Sequence, residues 1–106
     1  MTLAELKTVL EAVFPGKVVY YAWKENTAPS LPWVCLFETG ANNESADNIV
    51  FHSARQVSVE LYTKNKDAAN EVALENALTA QEIFWEKDCE YLEDEKMHMT
   101  TYTLEV

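Results

Sequence analysis

Residues Ile49 to Thr63 read IVFHSARQVSVELYT, and this stretch decides the fold. In its second half Val57, Val59 and Leu61 fall on one face, while Ser58, Glu60 and Tyr62 fall on the other. That is the two-residue period of a half-buried strand. At about 3.3 Å per residue, one strand over the whole stretch runs roughly 50 Å. A domain of this size has a radius of gyration of only about 13 Å. The strand must therefore bend at its polar middle, His52 to Gln56, or its first half must project from the body. A projecting β-arm is built to touch something else.

The flanking sequence supplies the other elements. Upstream, Gly40 to Asn48 (GANNESADN) is a run of turn formers and is expected to be a polar loop. Trp33 to Thr39 (WVCLFET) is a nearly continuous apolar strand suited to a central position. Residues 24–32 (KENTAPSLP) contain two prolines and read as a loop. Lys17 to Trp23 (KVVYYAW) reads as a strand. A helix opens at Thr2, where Thr2 and Glu5 form a capping box, and stops at Pro15-Gly16. Its apolar stripe is Leu3, Leu6, Val9, Leu10 and Val13.

Downstream, Asp67 caps a second helix running to about Gln81. Its stripe is Val72, Ala73, Ala77 and Leu78, widened by Leu74. Phe84 to Leu92 reads as a strand, Glu93 to Lys96 as a charged turn, and Met97 to Val106 as a final strand. In that last strand His98, Thr100, Tyr102 and Leu104 alternate against Met97, Met99, Thr101 and Thr103. The order α-β-β-β-α-β-β predicts an α+β class: a mainly antiparallel sheet with two helices packed on one face. Residues 1–106 are expected to form a single domain. The expected core is Leu6, Val9, Leu10, Trp33, Val57, Val59, Leu61 and Leu78.

Composition narrows the function classes. Hydrophobic residues make up 48% of the 106, as in folded globular proteins rather than disordered chains. No apolar run reaches the ~20 residues of a membrane span, and the N-terminus lacks the pattern of a secretion signal, so synthesis in the cytosol is expected. Eighteen acids against eight bases give a net charge of −10, which argues against a broad nucleic-acid-binding face. A negative wall near DNA instead keeps DNA from adhering. Cys35 and Cys89 are expected to be free, reduced thiols, Cys35 as a small core residue.

Candidate chemistry is sparse. His52 and His98 are the only histidines and are not grouped with thiols or carboxylates at metal-ligand spacing. Cys35 with His52, or Cys89 with His98, could pair as nucleophile and base. No motif surrounds either thiol, and Cys89 lies in KDCEY, among acids that work against a thiolate. Glu90, Glu93, Asp94 and Glu95 lack the glycine and spacing of a calcium loop and read as a solvated turn. Tyr20, Tyr21, Trp23, Trp33 and Phe37 lack interleaved bases, so core packing accounts for them better than base stacking. No catalytic, cofactor-binding or metal-binding residue is expected, and no enzyme activity.

Four segments carry a resemblance: APSLPWV (28–34), ADNIVF (46–51), VELYTKNKD (59–67) and YLEDEKM (91–97). In this order and spacing the chain resembles small tail terminator and tail completion (minor tail) proteins of long-tailed phages and prophages of Gram-positive bacteria. The resemblance implies a structural virion protein with a sheet flanked by two helices. It implies a homohexameric ring at the head-proximal end of the tail tube, ending tube growth or joining the tail to the head. Its implied partners are further copies of itself, the tail tube protein and head connector proteins. DNA would pass through the ring without specific binding, and no membrane would be involved. A ring needs a heterologous, self-closing interface. The arm is the expected source, through Asn42, Asn43, Glu44, Ser45, Asp47, Phe51 and His52. Two other classes compete. A small acidic inhibitor that mimics DNA would need its acids arrayed on one exposed face, whereas here they are expected to be scattered over both helices, the Asn43–Asp47 loop and the C-terminal hairpin. A small enzyme would use Cys35 or Cys89.

Overall fold

The computed structural model describes the backbone of residues 1–46 and 49–106 and the side chains of residues 1–40 and 55–106. The first helix, α1, spans Leu3–Val13. Thr2 caps it: its hydroxyl accepts the Glu5 amide at 3.1 Å, and the Glu5 carboxylate accepts the Thr2 amide at 3.2 Å. Two of the free donors at this helix end are thereby satisfied. After the helix, Gly16 takes a left-handed φ of 71°, where a Cβ is disfavoured, and turns the chain into β1 (Val18–Tyr20). The sequence predicts a strand over residues 17–23, but β1 is only three residues long. Tyr21 takes φ 65° and breaks the extended run. β1 lies parallel to β2, with Val18 opposite Val34.

β2 (Trp33–Ala46) and β3 (Ile49–Thr63) form a long antiparallel hairpin. The segment expected as a loop over 40–48 is strand as far as Ala46. Its turn-forming residues are held extended by ladder pairing with residues 49–56, an instance of context overriding strand propensity. The register shifts between Glu38 and Gly40 and between Glu44 and Ser45, marking two irregularities of the bulge type.

Helix α2 (Ala68–Ala80) starts at Asp67, whose carboxylate accepts the Asn70 amide at 3.1 Å. Its buried face is Glu71, Leu74 and Leu78, while Val72 is 50% exposed. The buried face is thus rotated relative to the expected stripe and carries Glu71 inward, where Lys66 and Lys87 pair with its carboxylate. β4 (Trp85–Leu92) and β5 (Met97–Glu105) complete a five-stranded sheet in the order β1-β2-β3-β5-β4, antiparallel except for β1 with β2.

The core lies between the two helices and one face of the sheet. Leu6, Leu10, Leu74 and Leu78 meet Val34, Leu36, Val57, Val59, Leu61, Tyr102 and Leu104, all nearly inaccessible to solvent. The α+β class and the element order expected from the sequence describe this molecule. Two expected core members, Val9 and Trp33, are only half-buried. Trp33 is paired with Tyr62 on the face opposite the helices, which the odd-even count along β2 dictates.

Candidate assembly surface

Two features stand outside the helix-packed core. The first is the distal part of the β2–β3 hairpin. β3 pairs with β5 from Gln56 to Thr63, and Arg55 and Val106 exchange backbone hydrogen bonds at 2.9 Å. Beyond that point Asn42–Ala46 and Ile49–Ala54 pair only with each other among the described residues. Five paired residues extend such a ribbon by about 16 Å. The molecule measures 50 × 28 × 23 Å, and its radius of gyration is 14.9 Å, against about 13 Å for a compact chain of this length. Of the two alternatives open to the long strand, projection is therefore the one realised.

The expected interface residues Asn42, Asn43, Glu44, Ser45, Phe51 and His52 have their backbone on this ribbon, with Asn42 opposite Ala54 and Glu44 opposite His52. Their side chains lie outside the described residues, and Asp47 lies outside them altogether.

The second feature is the sheet face away from the helices. At one end, residues 21–26 and Ala28 of the β1–β2 connection border a cavity of about 590 Å³ together with Trp33, Cys35, Tyr62, Leu92, Glu95 and Met97. Of the aromatic residues read as core, Tyr21, Trp23, Trp33 and Phe37 are placed on this side instead, whereas Tyr20 has the parity of Leu36 and stands on the helix side, with Lys7 Nζ 5.8 Å from its ring centre. Tyr21 is 68% exposed and stacks on Phe37 with ring centres 5.9 Å apart, Tyr20 is exposed, and Trp23, Trp33 and Phe37 are half-buried. The indole N–H of Trp23 is buried without a hydrogen-bond partner among the described residues. Burial pushes the Cys35 thiol up to about 11, with Glu60 adding to the effect. Cys35 is buried on this face rather than in the helix-packed core.

Further along the same face, Glu60 of β3 and Glu86, Asp88 and Glu90 of β4 share one side of the sheet, by their register with β5. No Lys or Arg of the described strand segments lies on that side; Arg55 and Lys87 fall on the other parity. Sequence reading took these acids to be scattered. The signal that aligns Glu86, Asp88 and Glu90 is their spacing of two within a strand.

On the helix side, α2 is tied to β4 by charge. Glu71 is 2% exposed, and its Oε1 accepts from Lys66 at 2.6 Å and lies 2.7 Å from Lys87 Nζ. Burial raises the Glu71 carboxyl, but the two lysines outweigh it and hold the group below the usual carboxylate range. Lys87 also donates to Glu75, and Glu75 accepts the Tyr102 hydroxyl at 2.7 Å.

Cys35 and Cys89 are free thiols, one buried and one exposed. Lys66 Nζ lies 3.6 Å from Cys89 Sγ, and His98 hydrogen-bonds weakly with Thr100 at 3.5 Å. No group of three His, Cys, Asp or Glu side chains is placed to hold a metal among the described residues. No helix among them is long and apolar enough to cross a membrane.

No protein-family model matches this chain, and no curated protein sequence does. Four solved chains match it in fold. One is a chain of the virion of a native gene transfer agent particle, with a TM-score of 0.65. The alignment covers 95% of this chain and 84% of that one at 12% sequence identity. At that identity the likeness is one of fold.

Proposed function

We propose that the protein is a structural virion component of a long-tailed phage or prophage. In this reading, copies of the chain, six in number, close a ring at the head-proximal end of the tail tube. The ring ends tube growth or joins the tail to the head connector, and the protein is neither an enzyme nor a cofactor carrier. The observation that carries the reading is the β2–β3 ribbon, which extends past the sheet and pairs with nothing else among the described residues. A ribbon of that kind can add to a neighbouring copy and so supply the heterologous contact that a closed ring requires. The fold likeness to a chain of a gene transfer agent virion runs over nearly the whole molecule and supports the same class. A net charge of −10 suits a ring through which DNA passes without adhering.

Electron microscopy of particles made without the gene tests this reading. Overlong tails assign a terminator role, and tails of normal length lying free beside full heads assign a joining role. Normal, infectious particles overturn both. That last result would favour a second reading, the acidic DNA-mimicking inhibitor, whose support is the alignment of Glu60, Glu86, Asp88 and Glu90 on one sheet face.

A further inference from the structure

The sheet is bounded by β1 and β4. β1 offers three residues, whereas β4 offers eight, solvent-exposed at every position but the two ends. The outer edge of β4 has no neighbouring strand among the described residues. The amide of Cys89 donates to the carboxylate of Asp88 at 3.0 Å, a local acceptor where an internal strand would use a neighbour's carbonyl. A free edge of this length is a template for another strand.

The side chains of β4 define what that strand must carry. Glu86, Asp88 and Glu90 stand on the face away from the helices, opposite Thr103, Thr101 and Met99 of β5. Trp85, Lys87, Cys89 and Tyr91 stand on the other face. Lys87 is already engaged by Glu71 and Glu75, and Tyr91 is 53% exposed. A strand laid along this edge sets one row of side chains beside three carboxylates and the alternate row beside Trp85, Cys89 and Tyr91. The first row calls for Lys or Arg, the second for apolar groups.

A second copy of the chain does not meet this requirement. In its five strands the only Lys or Arg residues are Arg55 and Lys87. Pairing β4 with another β4 brings Glu86, Asp88 and Glu90 against the same acids, which is repulsive.

We propose that the outer edge of β4 is a docking edge for an extended segment of a different protein, one in which Lys or Arg alternates with apolar residues. The segment joins as a sixth strand. Its backbone pairs with residues 85–92, and its basic row lies beside Glu86, Asp88 and Glu90. The proposal stands on this edge and its charges, and it holds whether or not the protein forms a tail ring.

The test uses the whole protein and a labelled, terminally blocked heptapeptide alternating lysine with valine. Its control is an isomer of identical composition with the lysines contiguous. The alternating peptide should bind saturably and weaken as salt is raised from roughly 0.05 to 0.5 M. It should slow amide exchange within β4. The contiguous isomer should bind more weakly by about tenfold, since it carries equal charge without the strand period. The double variant Asp88→Lys, Glu90→Lys should lose the alternating peptide by at least that factor. Equal binding of the two isomers overturns the proposal, as does exchange protection outside β4. Undiminished binding by a folded double variant overturns it too. The isomer comparison on the wild-type protein decides the matter even if the variant does not fold.

Discussion

Lys87 Nζ lies 2.7 Å from Glu71 Oε1, joining edge strand β4 to the buried face of α2. Glu71 is 2% exposed, so its charge depends on Lys87 and Lys66 for compensation. Glu71→Gln should lower stability by about 1–3 kcal/mol, the cost of giving up charge-assisted hydrogen bonds at a buried position. Chemical denaturation at neutral pH measures this. Loss well below that range would show that the lysines are adequately solvated without the carboxylate.

The same pair shapes the acid limb. The folded Glu71 carboxyl lies below its ordinary value of 4.5. Its contribution is therefore fully present above that value and is lost as pH falls through the lower folded value. Melting temperature against pH should fall more gently for Glu71→Gln than for wild type below about pH 4.5. Parallel curves would contradict the assignment.

Val59 is fully buried, opposite Leu36 on one side and Tyr102 on the other. Val59→Asp should unfold the domain. An unpaired buried carboxylate costs several kcal/mol out of a total stability of about 5–15 kcal/mol. Circular dichroism melts report the outcome, and a cooperative transition near that of wild type refutes it.

The two thiols should separate kinetically. Cys35 is 4% exposed, with its thiol pushed up to about 11, whereas Cys89 is exposed. Under native conditions at pH 8, iodoacetamide should modify Cys89 at least about a hundredfold faster. Mass spectrometry of quenched samples gives the two rates, and comparable rates would mean that the open face breathes readily.

Replacing Asn42 to Asp47 by a tight turn should leave the melt almost unchanged, because the body of the sheet is paired without the ribbon. In the virion reading, the same variant should fail to rescue a phage lacking the gene. Rescue by the folded, shortened protein removes the ribbon from the assembly interface. Loss of folding would show that the ribbon is structural.

The element order was legible because each apolar face carries a clear period, as in Val57, Val59 and Leu61 or Tyr102 and Leu104. The long strand followed from its two-residue period, but the mismatch between its length and a small domain left a bend or a projection open, and only the pairing in the sheet decides for projection. What misled was local chemistry overridden by pairing. Gly40 to Ala46 holds turn formers, yet cross-strand hydrogen bonds keep it extended. Val72 looks like a helix anchor, yet it is half exposed and Glu71 takes the buried position, its charge met by Lys66 and Lys87 at the surface. Burial of Trp33 was overestimated because an aromatic residue in an apolar strand does not reveal which face it serves. The acidic row on β4 was present in the spacing of Glu86, Asp88 and Glu90, but only the sheet order makes that strand an outer edge.

The sheet order also sets a schedule for the nascent chain. β5 lies between β3 and β4, although β4 precedes it in the sequence. Until residues 97–105 have emerged from the ribosome, β4 has nothing to pair with, and the apolar edge of β3 at Val57, Val59 and Leu61 stays open. The four-residue turn at 93–96 lets β4 and β5 fold first as a hairpin and then dock as one piece. A released chain ending before Met97 should expose that hydrophobic strand edge and be prone to aggregate.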